Sequence, residues 1–431
     1  MKCYRYTYPI DHISSLPLIE NTLFLDIETT GFSRFSTFLT IIGLAWQENG
    51  CIIIEQWLNE CSLKESEADW LWGLLEEGSL LRAAPKKAQD VFQVTAPFPE
   101  SKRKHTPSSP PLSVKDRGQK EEAELLIELE KRLTKRDSLP TLIHYNGSTF
   151  DLPYLKSKYE QHHLATSLPD CPSIDLYRCA KKYKHFLMPA GLKQKNLEEA
   201  FGLFREDTLS GQELIQTYLE GIAKNKKQLL DLYLLHNKED MEGMVFLQNL
   251  LFMDRLFQGD FLIERFEEQP EFSSLFVQIT GKFTLKKPLI RELYGIHLHI
   301  KANSLFLRIP ICSLEAKYFY PDYKNYYYLP LEDRAIHKSV ASYVEKSYRK
   351  KATKETCYIK KADQFYPLPL PSSKKLRNEC LKNCCFLELF FEEYGTSTAY
   401  LSSSCPAFQN EEGQRAYLKA LLPLFLTDPK D

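Results

Sequence analysis

The chain has 431 residues, a formal net charge of −1 and 26% charged residues. That length suggests two or three domains, and the even charge balance excludes the global basic field of a non-specific nucleic-acid coater, though not an enzyme that grips a few nucleotides. The opening stretch MKCYRYTYPIDHISS lacks a signal-peptide core, no apolar run approaches a membrane span, and the eleven cysteines are scattered and odd in number, so the expectation is a reduced, cytoplasmic protein with no membrane segment.

Residues 1–19 read as an N-terminal extension. TLFLDIETTGF then reads as a strand whose end carries Asp26 and Glu28. FLTIIGLAWQENGCIIIEQWL reads as two further strands joined at Glu48-Asn49-Gly50, because Asn-Gly between β-rich segments is a strong hairpin signal. The three strands form an antiparallel meander. A helix is expected over residues 62–81. Residues 83–118, rich in Pro, Ser and Lys and including the basic run SKRKH, read as a disordered insertion. KEEAELLIELEKRL follows as a helix with Leu125, Leu126, Leu129 and Leu133 on one stripe.

In PTLIHYNGSTFDLPYL, Thr141–His144 reads as a strand, Asn146-Gly147 as a turn, and Asp151-Leu152-Pro153 as a helix start. SIDLYRCAKKY is a strand end and helix start, with Asp175 a cap at the junction. Residues 192–256 are mostly helical, punctuated by Gly202 and Gly211, and the helix from about Lys227 contains LLHNKEDMEG. Within it Asp231 and Glu239 read as solvated helix residues.

A domain boundary is expected at 255–260, giving domains over 20–256 and 260–431. In the second, smaller α+β domain, GIHLHIKANSLFLRIPI is a hairpin turning at Asn303-Ser304, followed by a helix over 336–351. Residues 337–361 carry eight Lys/Arg against two Glu, with Tyr343, Tyr348 and Tyr358 interleaved. They fit either a strand-binding surface or a solvated helix face with its tyrosines turned inward. Cys380, Cys384 and Cys385 lack a second ligand pair at zinc spacing and read as buried free thiols.

Four carboxylates stand in three distinctive settings: Asp26 and Glu28, Asp151, and Asp240. In a strand, residues i and i+2 share a face, so Asp26 and Glu28 project together. Side by side they repel unless a cation compensates them, and adding Asp151 and Asp240 makes a pocket that needs metal. Hard oxygen ligands favour Mg²⁺ or Mn²⁺ over zinc, and such a set suits two-metal phosphodiester hydrolysis. In LLHNKEDMEG, His236 lies four residues before Asp240 and so on its helical face. Each segment alone has an ordinary explanation: a solvated acidic pair, a helix N-cap, a structural HxxxD pair. The ordered set of three outweighs them.

LDIETTG, HYNGSTFDLPYL and HNKEDMEG, in this order, resemble the three exonuclease motifs of the DEDD superfamily on an RNase H-like fold, and most resemble YprB-type RNase H-like proteins. The resemblance covers residues 20–256. It implies a mixed five-stranded sheet flanked by helices, two divalent ions held by Asp26, Glu28, Asp151 and Asp240, and 3′→5′ hydrolysis of a single-stranded 3′ end, RNA or DNA, releasing nucleoside monophosphates. Thr30 and Phe32 match positions that contact the terminal nucleotide, and Asn146 a polar position near the substrate. One departure stands out. The superfamily places its base as His five residues before the last Asp or as Tyr four before it. Here Leu235 holds the first position and His236 the second. A neutral imidazole there is a competent base, and its rival role is to hold Asp240 or a substrate phosphate. The readings from other classes are a catalytically silent nucleic-acid-binding module and an RNase H-like endonuclease. Residues after 260 resemble the C-terminal part of bacterial proteins of the YprB type, which assigns them no function.

Overall fold

The structure is a computed structural model that describes residues 1–13, 18–61, 114–135, 137–207, 209, 211–279 and 288–426. The helix expected at 62–81 and the basic run at 101–105 lie outside these residues. So does the expected insertion as far as residue 113. Its last five residues are not irregular but open helix α1, Val114–Leu133. The chain divides into two compact units, Met1–Cys179 with Lys193–Glu199 and Leu203–Gln248, and Ala180–Leu192 with Ala200–Gly202 and Asn249–Asp431.

The first unit is built on a mixed sheet of six strands: β1 Lys2–Pro9, β2 Thr22–Thr29, β3 Leu39–Glu48, β4 Cys51–Leu58, β5 Thr141–His144 and β6 Ser173–Asp175, in the order β1-β4-β3-β2-β5-β6. β2, β3 and β4 form the antiparallel meander, and β5 and β6 add in parallel. The five expected strands are joined by a sixth, because the N-terminal extension is itself a strand. β1 pairs with β4 residue for residue from Lys2↔Leu58 to Pro9↔Cys51. The physical reason lies in β4, which is buried along nearly its whole length. An edge of that kind leaves backbone groups without partners unless another strand covers it. Arg5 secures the strand through Glu48 at 2.8 Å and Glu55 at 3.1 Å.

The period of two along β2 sorts its side chains. Leu23, Leu25 and Ile27 join a core with Leu125, Leu126, Leu129 and Leu133 of α1 and with Tyr154, Leu155 and Tyr159 of α2, Asp151–Gln161. The opposite parity carries Asp26 and Glu28, and it faces the side covered by α5, Gly211–Ala223, and α6, Lys227–Leu247. (Helices α3, Leu176–Lys182, and α4, Gln194–Phe201, precede them.) On that side Phe38, Ile41 and Leu58 pack with Leu214, Tyr218, Tyr233 and Leu234. Both sheet faces are therefore covered, and the central strand points its carboxylates at α6.

The second unit has a five-stranded antiparallel sheet, β7 Phe261–Glu268, β8 Phe272–Ile279, β9 Leu289–Leu293, β10 Ile296–Lys301 and β11 Ser304–Pro310, in the order β7-β8-β11-β10-β9. The expected hairpin is β10–β11, with Ile296, Leu298, Ile300, Leu305, Leu307 and Ile309 all buried, but it turns at Ala302-Asn303 rather than Asn303-Ser304, since Ser304 already pairs with Lys301. A four-stranded and a three-stranded sheet follow. The helix expected over 336–351 is not formed. The segment holds strand Arg334–His337, one helical turn Lys338–Ala341, and strand Lys350–Lys351. Arg334–His337 pairs instead with Tyr326–Leu329, and Lys350 and Lys351 with Tyr328 and Tyr327, while His337 Nδ1 caps the single turn by accepting from the Ser339 amide. Tyr343 is 91% exposed and Tyr348 53%, so the tyrosines-inward reading fails for both, whereas Tyr358 is buried. Cys380 and Cys384 are buried thiols directed at the carbonyls of Ala420 and Ala416, and Cys385 is exposed. Among the described residues no helix is long and apolar enough to cross a membrane.

Candidate active site

The four carboxylates expected to act together come from three elements. Asp26 and Glu28 stand at the end of β2, where the register with β3 shifts between Glu28 and Thr29. Such a bulge re-aims the side chains beside it. Asp151 is the first residue of α2. Its Oδ1 accepts from the Ile27 amide at 3.3 Å, so the carboxylate is turned to β2 rather than capping its own helix. Asp240 reaches in from α6.

Two glycines permit these approaches. Gly43 on β3 faces Asn237 of α6, where a Cβ would lie 2.5 Å from Asn237 Oδ1. Asn237 in turn donates to Asp26 Oδ2 at 2.8 Å and accepts from Gln56 at 2.8 Å, which ties α6 to the central strands. Gly243 faces the buried carboxylate of Glu198, where a Cβ would lie 1.7 Å from Oε1. Gly243→Ala should lower stability by about 1–3 kcal/mol, the usual cost of overpacking, measurable as a lower urea midpoint. An unchanged midpoint would show that Glu198 is free to move away.

His236 is held at both ring nitrogens. Nδ1 lies 2.7 Å from Asp207 Oδ2, and Nε2 lies 3.1 Å from Asp240 Oδ2 and 3.8 Å from Glu28 Oε1. The other oxygen of Asp240 pairs with Arg205 Nη1 at 2.6 Å. Arg205 also grips Glu198, with contacts of 2.5 and 2.7 Å, and Gln194 donates to Glu198 and to the Asp240 carbonyl. Asp207, Arg205 and Glu198 are thus site residues that no motif marked, and Asn237, which lies inside HNKEDMEG, is one to which the motif assigned no role. Glu239, expected to be solvated, is buried and accepts from the amides of Glu206 and Asp207, both at 2.9 Å. It fixes the segment that delivers Arg205 and Asp207.

Burial and mutual repulsion set the electrostatics. Burial, then the charges of Asp240, Asp151 and Glu28, hold the Asp26 carboxyl well above the usual range. Burial pushes Glu28 up to about 8 and Asp151 to about 7. Burial would also lower His236, but its bond to Asp240 and the charges of Asp240 and Glu28 carry it up to about 9. Asp240 is lowered despite its burial, because His236 and Arg205 both bind it. A site that holds protons this tightly is short of positive charge. Its oxygen-rich donors fit a hard divalent ion, and Glu28, His236 and Asp240 offer ligand atoms within 4.8 Å of one another. Side-chain exposures of 19%, 17% and 17% leave these three within reach of solvent.

The three expected substrate residues are placed differently. Phe32 is 66% exposed and meets Phe150 edge-on at 6.0 Å. Thr30 is buried, and its hydroxyl oxygen accepts from the Phe38 amide at 3.1 Å, so it closes the loop after β2. Asn146 is exposed, with φ 60°. That conformation suits Asn, and its amide donates to Asp175 at 2.9 Å. Asp175 also accepts from the Tyr177 amide, the local cap expected of it.

Against known proteins, residues 102–252 match a model of the RNase H superfamily. The match takes in Asp151, His236 and Asp240 and begins beyond Asp26 and Glu28. Among curated proteins none matches the chain.

Proposed function

Starting from the RNase H-like domain of this chain, we propose that it is a metal-dependent 3′→5′ exonuclease that shortens single-stranded nucleic acid and releases nucleoside monophosphates. One observation carries the reading: Asp26, Glu28, Asp151 and Asp240 converge at the end of β2, and three of them are held above their ordinary pKa. Asp26, Glu28, Asp151 and Asp240 are the residues to hold two Mg²⁺ or Mn²⁺ ions. Bound there, the ions would acidify the attacking water and offset charge on the scissile phosphate and the leaving 3′ oxygen.

The chain's own groups do the rest. Asp207 accepts from His236 Nδ1–H, which fixes the tautomer and leaves Nε2 to take the proton of the attacking water. Asn237 orients Asp26, and Arg205 with Gln194 orients Asp240. Phe32 stacks on the terminal base, and Asn146 meets it across the β5–α2 turn. Thr30 acts through the shape of the loop that presents Phe32. In the second unit, exposed Tyr343, Tyr348, Lys350 and Lys351 form a surface for the strand backbone. The protein works in the cytoplasm.

A second reading has one observation in its favour. Both Asp240 oxygens are already engaged, by Arg205 and His236, as a silent nucleic-acid-binding module would allow. Incubating the protein with end-labelled RNA and DNA, in Mn²⁺ or in EDTA, separates the readings. Stepwise loss of 3′ nucleotides in Mn²⁺ alone is the expected result. Internal fragments would mark an endonuclease, and binding without cleavage would mark the silent module.

A further inference from the structure

The loop after β2 exposes two large apolar side chains, Phe32 at 66% and Phe35 at 76%. Single exposed apolar residues are ordinary. Two in one nine-residue loop are less so when that loop is held rigid, because a rigid loop cannot fold them away. Thr30 and Phe38 bond across its base at 3.1 Å in both directions. Thr37 Oγ1 contacts the Ser33 carbonyl at 2.5 Å and the Tyr154 hydroxyl at 3.0 Å. From α2, Lys158 Nζ donates to the Thr37 carbonyl at 2.5 Å and Gln161 donates to the Arg34 carbonyl at 2.9 Å. Lys158 is itself buried against Glu122 at 3.3 Å, so this anchor is part of the core.

Beside the loop lies a cavity of about 700 Å³, between Arg34 and Phe35, the outward face of α2 and residues 168–173. Lys156, Ser157 and Glu160 line it from α2, and Ser148 and Leu152 bring its wall to the turn that carries Asp151. Two cations and an aromatic ring face one carboxylate. An extended chain of phosphates with flat bases fits that mixture: guanidinium and ammonium groups bind phosphate, and a ring accepts any base.

We propose that this cavity is a subsite for the strand upstream of the reacting end, with Arg34 and Lys156 on consecutive phosphates and Phe35 stacking a base. The inference rests on the nucleic-acid reading above and adds a substrate contact that none of the motifs contains. A strand seated here is gripped one or more nucleotides away from the carboxylates, so affinity depends on chain length.

The test measures binding of a 12-nucleotide single strand and of a mononucleotide to the full chain, by fluorescence anisotropy in EDTA over a salt series. Wild-type protein should prefer the longer strand. Arg34→Ala/Lys156→Ala should weaken 12-mer binding about tenfold or more and reduce the salt slope by about 1.4, the value for two lost single-strand phosphate contacts. Phe35→Ala should weaken it about tenfold at every salt concentration, as for a lost stack. Phe35 and Lys156 are exposed and Arg34 is half-buried, so melting temperatures should stay close to wild type. Variants that bind the 12-mer as tightly as wild type overturn the subsite, as does a wild type indifferent to strand length or one that takes a phosphopeptide in place of the strand. A wild type that shows these binding effects yet cleaves nothing would sink the exonuclease reading and leave the subsite standing.

Discussion

Asp26→Asn should reduce metal-dependent hydrolysis by about a thousandfold or more, the scale of several kcal/mol of lost charge stabilisation, and should raise the melting temperature of the metal-free protein. The two effects share one cause. Asp26 is buried beside three other carboxylates, and its ionised form is disfavoured. With divalent ions the charge is needed; without them it is a burden that Asn lifts. The sign with pH follows. Between about pH 4 and the raised values near 7 and 8 for Asp151 and Glu28, the folded protein keeps protons that the unfolded chain releases. Stability therefore falls as pH rises through that window. His236 acts in the same direction, because a folded value near 9 gives stability that is full below about 6.5 and lost by pH 9. Melting curves in EDTA should drop steadily from pH 5 to pH 9, and Mn²⁺ should restore most of the loss at the alkaline end. A metal-free protein equally stable at both ends, or an Asp26→Asn variant that still cleaves in Mn²⁺, would refute this picture of the site.

His236→Ala should slow hydrolysis by about 10²–10⁴, the range for a lost general base, while Mn²⁺ still binds in a calorimeter. In the metal-free site the imidazole is cationic because Asp240 and Glu28 surround it. With divalent charge bound beside those carboxylates, His236 would lose that preference and its Nε2 lone pair would be free to take a proton. The rate of the wild type should then rise with pH through a titration that the Ala variant lacks. Asp207→Asn should show a smaller loss with the titration moved, since Asp207 holds Nδ1 at 2.7 Å. If His236→Ala instead abolishes Mn²⁺ binding, the histidine belongs with the metal ligands, and its place within 4.8 Å of Glu28 and Asp240 ligand atoms would explain it.

Much of this arrangement could be read from local pattern. Period two was enough to put Asp26 and Glu28 on one face of β2, and period 3.6 put Leu125, Leu126, Leu129 and Leu133 into the core and His236 beside Asp240. These regularities live within one element. Contacts made across the chain left no such trace. Arg205 and Asp207 sit in an irregular segment after Gly202 and are brought to α6 by long-range contacts, Glu239 under its amides, Asp240 on Arg205 and His236 on Asp207. Glu198 was invisible for the same reason, although Gly243 opposite it marks where the helix had to be bare. β1 escaped because its partner β4 lies about fifty residues on. The helix expected at 336–351 failed because both ends of the segment pair with the strand Tyr326–Leu329, a partner that local periodicity does not reveal.

The central pairing of Thr22–Phe24 with Thr141–Ile143 joins stretches of chain more than a hundred residues apart. Closing so wide a loop makes this step slow compared with the β2–β4 meander, whose partners adjoin in sequence. During synthesis, β2 therefore waits with an open edge until residue 143 has emerged, an interval in which an unpaired strand is prone to aggregate. The carboxylates gathered at its end span residues 26 to 240. A nascent or prematurely ended chain thus exposes the sheet before it holds all four carboxylates.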